Sequence, residues 1–356
     1  MREFKAVAPG RVCLFGEHSD YLGLDVIPAA ISLCIQIDAI PRDDDKVTID
    51  YVDLGERDEF TIGERLVYRH GRDYIRSAFN VFLRDGSCPQ IGADLSVRGS
   101  IPIAGGLSSS SALSVAATLV VSHLSGVQLS KSQLARRAYQ SEVVEFGESG
   151  GMQDHLASVY GGVIHLDLGN DYAVTEIPVK LNPFVIGDSL EEKSDTVGDI
   201  RYIKTTVERE YEEISKSVPS FDRRNTPLSR VYELSLKGSY PERQMAEATL
   251  KNRDLTRRAF SSLSSGNIQS EEIGEMLKEH HEILRDGLHR STKTIEDLIT
   301  AAYEAGALGC KINGSGGGGT MLAYSDGNQE EIASAIDDAG GKAYIVNVGE
   351  GAILTT

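Results

Sequence analysis

Residues 102–116 read PIAGGLSSSSALSVA, with two adjacent glycines and four consecutive serines directly ahead of an apolar run that continues to residue 124. A flexible linker would be followed by polar residues. Residues 112–124 are instead apolar nearly all round, the pattern of a helix buried on most sides, so the glycines and serines form the approach to its N-terminus. The first N–H groups of a helix have no internal partner, and that end carries a partial positive charge. Glycine allows an anion close approach and serine hydroxyls add donors, which makes this stretch a candidate phosphate site. The alternative is a serine-capped helix with a loose lead-in, and by itself the stretch leaves the two evenly matched. It is not a Walker A loop, because no Gly-Lys-Ser/Thr follows.

Three further stretches bear on the choice. APGRVCLFGEHSDYLG (8–23) places Arg11, Glu17, His18 and Asp20 at a strand end and the turn after it, where charged groups can grip a hydroxylated ligand; charge in a turn is otherwise ordinary surface. In GESGGMQDHLASVYGG (147–162), Asp154 follows a glycine pair and precedes an apolar stretch. It reads either as the cap of a helix starting near His155 or as a carboxylate able to orient an alcohol and accept its proton. KINGSGGGGT (311–320) is a loose hairpin loop or a backbone-lined wall against a ligand.

The rest of the chain is read as a frame for these stretches. The first 60 residues alternate short β-branched runs with turns at Pro9-Gly10 and at 42–45. A helix is expected around Tyr74, Ile75, Phe79 and Phe82, stopped by Gly86. The next helix after the serine run opens with a capping box, Ser130 and Gln133. On it Leu134, Ala138 and Glu142 share a face, so Glu142 interrupts an apolar side and calls for a cationic partner. Beyond about Phe184 the texture changes to a strand followed by long charged helical segments at 197–217, 241–264 and 269–288, which sets an expected domain boundary at 183/184.

Composition narrows the function classes. At 356 residues two domains are expected, 1–183 and 184–356. A net charge of −17 disfavours nucleic acid and anionic membrane as partners, while leaving room for a local basic pocket. Cys13, Cys34, Cys88 and Cys310 are scattered without zinc or disulfide spacing. With no apolar leader or spanning segment either, a cytoplasmic location is expected.

Taken together and in order, PGRVCLFGEHSDY, PIAGGLSSSSA, GGMQDH and KINGSGGGG resemble the four motifs of the GHMP kinases. The resemblance covers the whole chain. It implies an α+β fold of two domains, a mixed α/β N-terminal one and an α+β C-terminal one, with the active site in the cleft between them. It implies ATP and Mg²⁺ as cofactors. The backbone of Gly105, Gly106, Leu107, Ser108, Ser109 and Ser110 would cradle the phosphates, and Gly314, Ser315, Gly316 and Gly317 would form the C-terminal glycine motif. Ser110 and Glu142 would hold the metal, Asp154 would activate the acceptor hydroxyl and Arg11 would stabilise charge. GEHSDY is similar to the galactokinase form of the first motif, in which Glu17, His18, Asp20 and Tyr21 would contact a sugar. GRDYIRSAF (71–79) resembles a galactokinase segment as well, whereas GGMQD looks nearer to kinases of heptose phosphates and fucose. The expected activity is therefore ATP-dependent phosphorylation of a monosaccharide, at its anomeric hydroxyl, by a monomer or homodimer. Mevalonate kinase and a non-catalytic sugar and ATP sensor are the alternatives. The second wall of the pocket is expected near residues 188–195.

Overall fold

The computed structural model describes the chain except for residues 1, 103–104, 149, 194 and 235–239. Positions 103–104 of the opening motif, 149 of the Asp154 segment and 194 of the expected second wall thus lie outside the described residues. The strands are β1 (Phe4–Phe15), β2 (Ile27–Pro41), β3 (Lys46–Tyr51), β4 (Glu56–Thr61), β5 (Ala93–Gly99), β6 (Val163–Asp167), β7 (Ala173–Ile177), β8 (Phe184–Asp188), β9 (Gly309–Asn313), β10 (Thr320–Tyr324), β11 (Lys342–Val346) and β12 (Ile353–Thr355). The helices are α1 (Tyr74–Arg84), α2 (Ser109–Leu124), α3 (Lys131–Tyr139), α4 (Gln153–Tyr160), α5 (Thr196–Ser217), α6 (Leu228–Leu234), α7 (Pro241–Ser264), α8 (Ser270–Glu282), α9 (Lys293–Glu304) and α10 (Gln329–Asp338).

Two sheets organise these elements. The first runs β12-β1-β2-β5-β3-β4, with β6 on β2 and β7 on β6; the second runs β11-β8-β10-β9. Every pairing is antiparallel except β3 with β5. Helix α2 packs on β1 and β2 and is flanked by α1, α3 and α4. This explains why residues 112–124 carry no polar face: Val115, Ala116, Val120 and Val121 are all buried. On the second sheet, α8 and α9 cover β9, and α10 covers β8 and β11.

Several local expectations are realised. Ser130 and Gln133 make the reciprocal capping box of α3. Asp73 caps α1 by accepting from the Arg76 amide, and the predicted helix at 241–264 matches α7 in full.

Two others are corrected. Pro9-Gly10 is not a turn, because β1 runs straight through it with a register shift against β2 between Pro9 and Arg11. Proline lacks a ladder donor, and a bulge accommodates it without ending the strand. Gly10 serves close approach instead: a Cβ there would lie 2.6 Å from the Leu107 carbonyl oxygen, and the Arg11 amide donates to that same oxygen at 3.1 Å. The phosphate-loop candidate is thereby docked on β1. The sheets also do not divide cleanly at 183/184. β12 pairs with β1 through Lys5–Thr355, Ala6–Leu354 and Val7–Ile353, so the last residues of the chain complete the first sheet.

Candidate active site

Arg11 and Asp154, 143 positions apart, meet in a two-pronged pair: Nε donates to Oδ1 at 2.7 Å and Nη2 to Oδ2 at 2.9 Å. The planar guanidinium matches the carboxylate in register, the strongest form of such a contact. Burial works against the charge of Arg11, but Asp154 and Glu17 outweigh it and hold the guanidinium ionised. Asp154 does not cap its helix. Met152 occupies the cap position of α4 without a side-chain bond, and Asp154 instead also accepts from the Ser108 hydroxyl at 2.7 Å.

The approach to α2 is held by its carbonyls. Gly105 O accepts from Thr320 Oγ1 at 2.6 Å, Gly106 O accepts from Arg11 Nη1 at 2.7 Å and Asn313 Nδ2 at 3.0 Å, and Leu107 O is held by the Arg11 amide. Ser108 takes a left-handed conformation with φ 61° ahead of the helix and makes no capping bond with its side chain. The serine-cap reading thus gives way: Ser108 faces Asp154, and its hydroxyl leaves the first N–H groups of α2 uncapped.

Ser110 and Glu142 both act on Tyr74. Burial together with the Glu142 charge pushes the ionisation of its hydroxyl up, and the Ser110 side chain works the other way. Glu142 sits on a π-helical turn (Gln140–Val144) that continues α3, and irregular turns of this kind often re-aim a functional side chain. Its near neighbour is His155, whose Nε2 lies 2.7 Å from Glu142 Oε2, outside hydrogen-bond alignment. His155 is thus a polar neighbour of Glu142 that the sequence did not single out. Two oxygen donors of this kind suit Mg²⁺, which takes few protein ligands and completes its shell with phosphate and water. No group of three or more His, Cys, Asp or Glu is arranged for a metal among the described residues.

The GEHSDY turn brings the Glu17 charge to bear on Arg11. Glu17 is buried at 3% exposure, and its Oε2 accepts from Lys311 Nζ at 3.2 Å and from the Gly314 amide at 2.9 Å. Burial raises its proton affinity, yet Lys311 and Arg11 outweigh that and lower it. Glu17 therefore acts as a strut to the glycine motif. His18 pairs through Nδ1 with the Tyr21 hydroxyl at 2.7 Å; burial draws its pKa down to about 4, so its ring is neutral at pH 7. Burial and the nearby Asp154 charge push Asp20 up to about 7. Its carboxylate lies so close to Gly151 that a Cβ there would sit 2.2 Å from Oδ2.

Gly314, Gly316 and Gly317 all have positive φ, near 70°, which only glycine adopts without strain. Arg290 fixes their loop: Nε donates to Ser315 O at 2.8 Å and Nη2 to Asp199 of α5 at 2.7 Å, while the Gly317 amide donates to Arg290 O at 2.9 Å. Ser109 is the first residue of α2.

Sequence reasoning did not single out Lys311, Asn313, Thr320, Arg290 or His155, while Lys193 lies in the stretch 188–195 expected as the second wall. Lys311 and Asn313 alternate along β9, a strand buried at every position. Polar residues at period two within such a strand were the signal available.

The chain belongs to the GHMP kinase family and is a kinase. The GHMP kinases N terminal domain matches residues 73–162, the GHMP kinases C terminal domain residues 265–342, and the galactokinase galactose-binding signature residues 2–37. The mevalonate kinase of Pyrococcus furiosus is 31% identical over 96% of this chain and 95% of its own. A galactokinase of Roseiflexus is 29% identical over 96% and 89%. In fold, the chain superposes on Lactococcus lactis galactokinase complexed with galactose with a TM-score of 0.86, at 22% identity over 99% of this chain and 95% of the other. It superposes on Methanococcus jannaschii mevalonate kinase with a TM-score of 0.75, at 18% identity over 97% and 98%. No helix among the described residues is long and apolar enough to cross a membrane.

Proposed function

We propose that this kinase transfers the terminal phosphoryl group of ATP to a monosaccharide, at the anomeric C1 hydroxyl. The observation that carries the proposal is the Arg11–Asp154 pair beside the uncapped start of α2. It sets a hydroxyl acceptor and a phosphate site side by side, the positioning that phosphoryl transfer needs. The N–H groups at the start of α2 receive the phosphates, and Ser110 with Glu142 would hold Mg²⁺, which would supply neutralisation of phosphate charge. Asp154 accepts a hydrogen bond from the acceptor hydroxyl and takes up its proton as the new O–P bond forms. Arg11 holds the carboxylate in one orientation and offsets charge on the transferring group.

A sugar is favoured over mevalonate by the electrostatics of the acceptor side. Burial first, and the Asp154 charge second, already raise the pKa of Asp20 there, and the Arg11 guanidinium is paired with Asp154. A second carboxylate, as mevalonate carries, meets repulsion, whereas sugar hydroxyls bond both neutral His18 and Asp20. The match to a galactose-binding signature over residues 2–37 supports the same reading, and the identity to mevalonate kinases favours the alternative.

The test is ADP release with galactose, N-acetylgalactosamine, fucose, heptose, uronic acids, arabinose and mevalonate. Turnover with one of the sugars and product phosphorylated at C1 supports the proposal. Turnover with mevalonate alone replaces it with the mevalonate reading, and nucleotide binding with no turnover on any acceptor replaces it with a sensor.

A further inference from the structure

Lys193 reaches into the space between the two glycine-rich loops. A Cβ placed on Gly106 would lie 3.1 Å from its Nζ, and one placed on Gly319 would lie 2.6 Å from Nζ and 2.4 Å from Cε. Glycine at both positions is what leaves room for the ammonium. Among the described residues, its polar side-chain partner is the Ser315 hydroxyl at 3.2 Å.

Among the described residues no carboxylate bonds it directly, because the nearby ones have partners of their own. Glu191 accepts from Thr292 and Thr294 at 2.6 and 2.8 Å, Asp188 from the Leu190 amide at 3.0 Å, Glu17 from Lys311 and Gly314, and Asp154 from Arg11 and Ser108. The segment that carries Lys193 is also built rather than loose: the Glu191 bonds anchor it to the start of α9, and the Ser189 amide donates to Gly319 O at 2.8 Å. Burial is the largest influence on its charge and opposes it; Glu17 and Asp188 favour the ammonium, Arg11 and Arg290 oppose it, and the balance lowers its pKa. A largely desolvated cation with no bonded carboxylate is costly unless an anion joins it.

We infer that Lys193 is a phosphate ligand that contacts the terminal phosphoryl group of the bound nucleotide. The choice of the terminal group follows from Gly106. Its carbonyl is held by Arg11, which itself grips Asp154, and Lys193 abuts the same glycine. An anion touching both cations stands next to the acceptor-facing carboxylate. On binding, Nζ would exchange the Ser315 hydroxyl for charge-assisted bonds to phosphate oxygens. This assignment rests on the kinase reading above.

The experiment is calorimetric binding without acceptor, using the Mg²⁺ complexes of an imido-bridged ATP analogue and of ADP, and AMP alone, on the wild type, Lys193→Met and Lys193→Arg. The methionine variant keeps the stem and removes the charge. It is expected to weaken the triphosphate analogue about tenfold or more, ADP by less and AMP not at all, while the arginine variant stays within about threefold of wild type. Unchanged affinity for the triphosphate in Lys193→Met overturns the inference. So does an equal loss for all three nucleotides, which would mean a disturbed loop instead of a lost phosphate contact. A wild type that binds no nucleotide removes both this inference and the kinase reading; one that binds the triphosphate and loses it selectively in Lys193→Met, yet phosphorylates no acceptor, sustains the phosphate contact and removes only the proposed activity.

Discussion

Arg11 and Asp154 are joined by two parallel hydrogen bonds of 2.7 and 2.9 Å, and Arg11 reaches from the same guanidinium to the Gly106 carbonyl. One side chain thus fixes both the Asp154 carboxylate and the approach to α2. Asp154→Asn is expected to lower turnover by roughly 10²–10⁴-fold, with nucleotide affinity within a few-fold of wild type. Steady-state kinetics beside nucleotide titration checks this, and full turnover in that variant would remove Asp154 from the reaction. Arg11→Lys should lose most activity as well, because an ammonium cannot supply the paired contact.

Glu142 and Ser110 both influence the ionisation of Tyr74. Glu142→Gln keeps the shape and loses the charge. The Mg²⁺ concentration needed for half-maximal ATP binding should rise by about tenfold, while metal-free nucleotide binding stays unchanged. Titration of nucleotide binding with Mg²⁺ reads this directly, and an unchanged midpoint would exclude Glu142 as a ligand.

The ion pair of Glu17 with fully buried Lys311 ties the GEHSDY turn to β9. Lys311→Met strands a buried carboxylate and should cost about 3–5 kcal/mol of stability. Replacing both residues, as Glu17→Leu with Lys311→Met, should cost less than the sum of the single changes. Denaturant unfolding of the three variants measures the coupling; strict additivity would show that the pair is not coupled.

Asp20, at about 7 in the folded chain against an ordinary 3.8, binds its proton more tightly when folded. Its contribution to stability is therefore present below about pH 4 and is lost as the pH rises toward 7, where the unfolded carboxylate has already ionised. Asp154, Glu17 and Arg11 are the charges that face it. Asp20→Asn should raise the melting temperature relative to wild type at pH 8 and leave the two equal at pH 4. Parallel melting curves across that range would refute this if they differed equally at both ends.

Much of the frame follows from local pattern. The all-round apolar run at 112–124 had to be a buried helix, the Ser130–Gln133 box had to start another, and the glycine-rich motifs carry positive φ that other residues resist. Those features are legible because helix periodicity, capping and backbone sterics act over a few neighbouring residues.

The partners of each site residue were decided by the tertiary structure. That Arg11 meets Asp154 rather than solvent, that His155 stands beside Glu142, that Lys311 underpins Glu17 and that Lys193 hangs between Gly106 and Gly319 all depend on chain packing across large separations. Pro9-Gly10 shows the same division: dipeptide preference pointed to a turn, but pairing of β1 with β2 on one edge and β12 on the other carried the strand through and left Gly10 as the seat of the Leu107 carbonyl. The sequence by itself determined which residues can cradle phosphate, carry charge or start a helix. Only the fold decided which of those charges are paired and which remain free for a ligand, because desolvation and ion pairing depend on neighbours distant in sequence.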